Sequence, residues 1–482
     1  MPTIDRRKAA VLLAVLAIGD WLLYRHDPGA SAAIFFMALA LGVRLANPTE
    51  VPPRRLAGAT AILVVALLPL IENFGVIPFL FGTIGAAHFA LVATAPSSGP
   101  FAWRVALAAR TLLTGAFQCF ADLARVAAAQ GDLRALSSRT AARWIVPIGL
   151  GGVFAALFAS ANPLIEYWLS QIHLERIVSH IDMDRLVLWS VMTVSLWPFV
   201  FSRARFAPFS AGRAAGRPVE AAAPGLLLGE GAILRSLVLF NALFAVETVL
   251  DGAYLWGGLA LPDGMSYATY AHRGAYPLVV TALLAGGFVI LAMKPGGSIE
   301  ASPLIRALVY VWIFQNVLLV ASSVQRLALY VEAYSLTYLR VAAFIWMLLV
   351  AAGLVLIVLR MARGHSNAWL VSSNAHVLAS VLYVCCFVNF PHVVASYNVN
   401  HCRELTGKGQ LLDVTYLMGL GPDVIAAVDD YRRRLPEAYR ARGLLFDEGS
   451  LLSGARQEHD WHQWSFRRWR LSRYLEVRPH SP

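Results

Sequence analysis

Glu247 and Asp251 stand four residues apart in the run AVETVLD, which puts two carboxylates one turn apart on a single helix face. A pair so placed can bind a cation, take up a proton, or pair with arginines such as Arg273 or Arg326. The last use asks for the least, since a buried ion-pair network that holds helices in register needs only these residue types. Arg326, Glu332 and Arg340 follow in SSVQRLALYVEAYSLTYLR, and Asn398 and Arg403 in ASYNVNHCRE. Arginines 273, 326, 340 and 403 gathered on one face would suit the phosphate or carboxylate of an anionic or lipid-linked ligand. Tyr267, Tyr270, Tyr330 and Tyr334 accompany these charges, where tyrosine serves equally as an anchor at a membrane interface.

Other chemistries are poorly supported. GxSxG, HExxH and P-loop patterns are absent, and no spacing of Ser, His and acid singles out a triad. Cys119, Cys385, Cys386 and Cys402 form no CxxC and no Cys/His metal pattern, so neither a metal nor a cofactor is expected. His88 and His376 stand alone among apolar neighbours and read as satisfied helix-contact residues. Asn316, beside Gln315, reads as a hydrogen-bonding residue between helices.

The elements that must position these groups follow from composition. Of 482 residues, 58% are hydrophobic and 14% charged, too apolar a balance for a water-covered surface. Stretches of about 20 apolar residues predict an all-α, polytopic helical bundle of about 11 transmembrane helices. Their expected limits are 9–24, 29–46, 56–73, 75–95, 144–169, 185–202, 231–257, 275–294, 304–327, 339–361 and 368–394. The net charge of +11 comes from 40 basic against 29 acidic residues, and the basic ones are mostly arginines scattered between apolar runs. That scatter reads as membrane topology rather than a nucleic-acid surface. With Arg6, Arg7 and Lys8 in the cytoplasm, Arg54, Arg55, Arg203, Arg205, Lys294, Arg360 and Arg363 all fall on the cytoplasmic side. The C-terminus is then extracytoplasmic, and the acids and mixed pairs collect at the outer ends of spans.

Four segments result: an N-terminal four-span unit over 1–95, interfacial amphipathic helices over 96–143, a seven-span core over 144–394, and an extracytoplasmic tail over 395–482. Pro198 in SLWPFVF and Pro163 in SANP read as helix breaks. The tail is short for a generous core of its own. Its WHQWSFRRWRLSRYLEV stretch, with Trp461, Trp464, Arg467, Arg468, Trp469 and Arg470, reads as an amphipathic helix on lipid headgroups or on the membrane domain.

Three stretches in order carry a resemblance. LFNALFAVETVLDGAYLWGGLALPDGMSYATYAHRGAYPLVV at 239–280, ASSVQRLALYVEAYSLTYLR at 321–340 and VNFPHVVASYNVNHCRELTGKGQLLDVTYLMGLGPDVIAAV at 388–428 together resemble a bacterial polytopic membrane family, domain of unknown function 4173, related to 4153. The resemblance covers roughly 145–475 and implies a multi-pass protein of the bacterial inner membrane, but no reaction. The chain departs from the family pattern at Thr269, where a glutamate is expected, at Pro391, where Asp or Asn is expected, and at Ser335, where glycine is expected.

The leading expectation is a transporter or lipid-handling protein with an outward-facing polar cavity and membrane lipids as partners. One alternative is a membrane enzyme acting on a lipid-linked or envelope substrate, with Glu247, Asp251 or Glu332 as acid or base. The other is an envelope sensor or scaffold.

Overall fold

The computed structural model describes residues 5–94, 115, 117–122, 125, 151, 182–201, 230–256, 284, 287–288, 302–437, 449, 451–452 and 460–478. Among these residues all regular structure is helical. The chain divides into two compact units, 1–214 with 458–469, and 215–457 with 470–482.

The first unit is built on α1 (Arg6–Leu23), α2 (Ala30–Ala46), α3 (Pro53–Glu72), α4 (Val76–Thr94) and α5 (Met183–Val200). Local chemistry sets the starts. Asp5 accepts from Arg7 N at 3.0 Å to cap α1, and Asp182 accepts from Arg185 N at 3.3 Å to cap α5. Pro53 opens α3 in the first turn, where its missing N–H is no loss. Leu22, Leu39, Leu63 and Leu70 are wholly or almost wholly buried between the helices. α3 and α4 approach closely because Gly85 faces Ala66; a Cβ at 85 would lie 2.6 Å from that methyl. The helix break expected at Pro198 does not occur. α5 runs through it to Val200, and beyond the proline Phe201 N still donates to Trp197 O at 2.9 Å, so the ladder resumes after the one bond that Pro198 cannot make.

The second unit contains α6 (Glu230–Asp251), which ends in a π turn (Gly252–Trp256), then α7 (Pro303–Tyr334), α8 (Tyr338–Arg363), α9 (Asn367–Cys385) and α10 (Phe390–His401). Shorter helices follow: α11 (Arg403–Thr406), α12 (Val414–Gly419) and α13 (Ile425–Arg434). α14 (Phe466–Val477) begins in the first unit and ends in the second. α7 has 32 residues, about 48 Å at 1.5 Å per residue, and so outruns a hydrocarbon core of about 30 Å. The span expected at 368–394 is two helices. Asn389 accepts from His392 N at 3.2 Å and Pro391 sits in the first turn, so the chain restarts as α10.

Six described helices are long and apolar enough to cross a membrane: Pro53–Glu72, Val76–Thr94, Glu230–Tyr254, Pro303–Tyr334, Tyr338–Arg363 and Asn367–Cys385. α1, α2 and α5 match the expected spans 9–24, 29–46 and 185–202 in position but are not among the six. The expected spans 144–169 and 275–294 and the interfacial segment 96–143 lie outside the described residues apart from isolated positions. Val371, Leu378 and Val384 leave an apolar α9 surface open, which is stable against lipid and not against water. The protein is therefore membrane-embedded. Arg360, read above as one of the arginines of the cytoplasmic side, has its side chain wholly buried.

Candidate functional site

The carboxylate pair on α6 meets an arginine on α7. Arg326 donates to Asp251 and lies 3.4 Å from Glu247 Oε1. The side chains of Arg326 and Asp251 are 3% and 2% exposed, whereas that of Glu247 is 40% exposed. The expected one-turn spacing of the two acids thus lets a single guanidinium engage both. Farther back along the same two helices, Asn241 Nδ2 on α6 donates to Leu308 O on α7 at 3.1 Å, and Gln315 Nε2 donates back to Asn241 O at 3.3 Å. Asn316 behaves otherwise than expected. Its amide donates to Trp312 O at 2.8 Å within α7, because a buried amide can use the carbonyl one turn back. Gln315 makes the link between helices instead.

Arg340 does not join Arg326. It lies at the corner between α7 and α8, where it donates to Tyr334 O at 2.6 Å and to Ser335 O, with its guanidinium 4.4 Å from the Tyr330 ring centre. Tyr330 and Tyr334 pack against each other at 4.9 Å. Across the corner, Asn398 on α10 accepts from Leu336 N at 2.7 Å and donates to Leu336 O at 2.9 Å. Tyr416 Oη accepts from Tyr338 N at 3.0 Å. Every one of these bonds satisfies backbone left open where α7 stops and α8 starts. Glu332 and Arg403 are exposed. Arg273, Tyr267 and Tyr270 lie outside the described residues.

Beside this corner is a cavity of about 450 Å³, walled by α7, α8, α10 and the segment that ends α9. Val331, Leu336, Phe344, Ile345 and Phe390 line it, and Tyr397 brings the only phenol among the lining residues. Burial first, and the nearby Glu332 charge second, raise the Tyr397 phenol above its ordinary value, so it stays a neutral donor. This cavity is apolar. Ala328 and Val331 lie two and five residues beyond Arg326, about 200° and 140° round α7. The charge triad therefore faces α6 while the cavity opens on another side of the same helix.

The tail beyond 395 forms a small core after all, around Val399, Leu417, Val424, Val428 and Tyr431, with Tyr474 and Leu475 of α14 against it. Arg478 and the Tyr474 hydroxyl both bond Asp429, the latter at 2.8 Å. Burial, then this hydrogen bond, pushes the Tyr474 phenol up to about 12. Burial likewise pushes the Cys402 thiol up to about 11.

Sequence reasoning found the acid pair, because its spacing is local to α6, and offered Arg326 as one of its possible partners. It missed the cavity wall, whose aliphatic residues look like any others in a span, and the backbone role of Asn398.

No curated protein and no solved structure matches the chain. A family profile described as Domain of unknown function (DUF4153) matches residues 59–431. The match starts earlier than the resemblance to domain 4173 reached, and it stops before the tryptophan-rich end. It covers more than three quarters of the 482 residues, and the chain belongs to this family of unknown function, domain 4153, the relative of the domain 4173 that the motifs resembled.

Proposed function

We propose that this is a multi-pass inner-membrane protein that handles a lipid or lipid-linked envelope component, seating its hydrocarbon chain in the cavity between α7, α8 and α10. The observation that carries this reading is the cavity itself. At about 450 Å³ it has the size of a small-molecule site, yet its wall is aliphatic and aromatic and belongs to membrane-embedded helices. A polar solute would lose its hydration there with too little in return, whereas an alkyl or isoprenoid chain moves from one apolar phase to another. The neutral Tyr397 phenol gives the polar end of such a ligand one donor at the edge. With the N-terminus cytoplasmic, the α7–α8 corner and the cavity fall at the extracytoplasmic side, as the arginine distribution supports.

The test is crosslinking with a photoactivatable lipid in the purified protein. Ile345→Trp fills the cavity, and labelling of the α8 segment is expected to fall about tenfold while helix content is kept. Equal labelling in Ile345→Trp and the parent would overturn the reading.

A further inference from the structure

The first unit gathers a set of donors that no span explains. His26, in the connection between α1 and α2, lies with its Nδ1 3.5 Å from Asp460 Oδ2, and His462 Nδ1 lies 2.5 Å from the same oxygen. The two imidazoles stack at 4.0 Å with their planes only 6° apart. One ligand atom from each of the three residues can be chosen so that all lie within 4.8 Å of one another.

We propose that His26, Asp460 and His462 form a site for a divalent transition-metal ion of the Zn²⁺ class, which fastens the C-terminal segment to the α1–α2 connection. Two imidazoles and a carboxylate are the donor set that suits zinc, copper or nickel, and three protein ligands leave a fourth position for water. Donors about 2.0–2.1 Å from a tetrahedral ion stand about 3.4 Å apart, so closing the site requires the more exposed His26 ring to turn out of its parallel stack on His462 and aim its in-plane lone pair at the ion.

Three features of the surroundings favour a ligand role over an ordinary surface triad. His462 is 94% buried, with 6% of its surface exposed, and among the described residues its Nε2 has no hydrogen-bond partner. Trp461 stacks on His462 at 3.9 Å and Trp21 meets it edge-on at 5.7 Å, aromatic contacts that hold the His462 ring in place. The backbone already holds the segment in place, with Ala30 N donating to Trp464 O at 2.7 Å. The three residues are thus brought together by a backbone contact that does not depend on the ion. They also lie outside the family match, in a part of the chain that the cavity does not use.

The test uses the full chain, purified in detergent without a polyhistidine tag and titrated with Zn²⁺, with Mg²⁺ in parallel. About one Zn²⁺ per chain is expected, with Mg²⁺ failing to compete and a rise in melting temperature on addition. His26→Gln and Asp460→Asn alter partly exposed side chains, so both variants should fold as judged by gel filtration. Each is expected to weaken Zn²⁺ binding at least about tenfold and to abolish the melting shift. Zn²⁺ uptake by the parent no greater than by the His26→Gln/Asp460→Asn double variant would overturn the proposal and leave a triad held by protons alone.

Discussion

At the scale of the residue, Ser335 explains a departure noted in the sequence. It holds φ 67° and ψ 170° at the α7–α8 corner, a region that glycine enters freely and other residues enter at a cost of about 1–3 kcal/mol. The backbone of the corner favours glycine, the residue that the resemblance led us to expect there. Ser335→Gly should therefore stabilise the protein by about 1 kcal/mol, read as a rise in melting temperature in detergent. The buried triad gives the opposite test. Asp251→Ala removes the buried carboxylate that Arg326 engages and should cost about 3–5 kcal/mol. Replacing both partners, as in Arg326→Met/Asp251→Leu, should recover most of that loss. Recovery of folding together with intact lipid labelling would mark the triad as a helix fastener; lost labelling in a folded double variant would give it a part in the site. Tyr474 adds a pH effect whose sign is fixed. The folded chain keeps the phenol proton to about 12, while the unfolded chain releases it near 10. The resulting stability is present below about pH 10 and is lost as pH rises toward 12. Tyr474→Phe should flatten that alkaline decline in thermal melts.

At the scale of the element, the corner between α7 and α8 is held from outside by α10. Asn398 satisfies both backbone groups of Leu336, so Asn398→Ala strands a buried N–H and C=O and should cost about 2 kcal/mol or more. Hydrogen exchange should then quicken at 335–338 before it does in the middle of α7 or α8. Helix limits were largely legible in the sequence, since apolar length and caps such as Asp5, Asp182 and Asn389 are local signals. The errors are just as local. Pro198 looks like a break but the ladder of α5 resumes beyond it, and Pro391 looks like mid-span but opens α10. Identical residue types give opposite results according to where the hydrogen-bond ladder starts and stops.

At the scale of the whole molecule, the chain's end returns to its beginning. Residues 458–469 belong to the compact unit of the first helices, where Arg467 meets Glu72 at 3.4 Å with both side chains nearly buried. The tail segment thus rests on protein, one of the two resting places its tryptophans and arginines suggested. Gly29 makes the close approach possible, because a Cβ there would stand 2.5 Å from the Trp464 carbonyl oxygen. Gly29→Ala should loosen the end of the chain, seen as faster protease cleavage beyond residue 457 with the six apolar helices still protected.

The sequence by itself determined the solvent, the helical class and most helix positions, because these depend on composition and on patterns within about 20 residues. It also determined the Glu247–Asp251 spacing, a property of one turn of helix. Only the tertiary structure decided that Arg326 takes up those acids while Arg340 turns away to the α7–α8 corner, and that the space beside that corner is apolar. It alone brought His26 to Asp460 and His462. Contacts between residues hundreds of positions apart leave no local period or spacing to read, and they follow from which helix faces pack together.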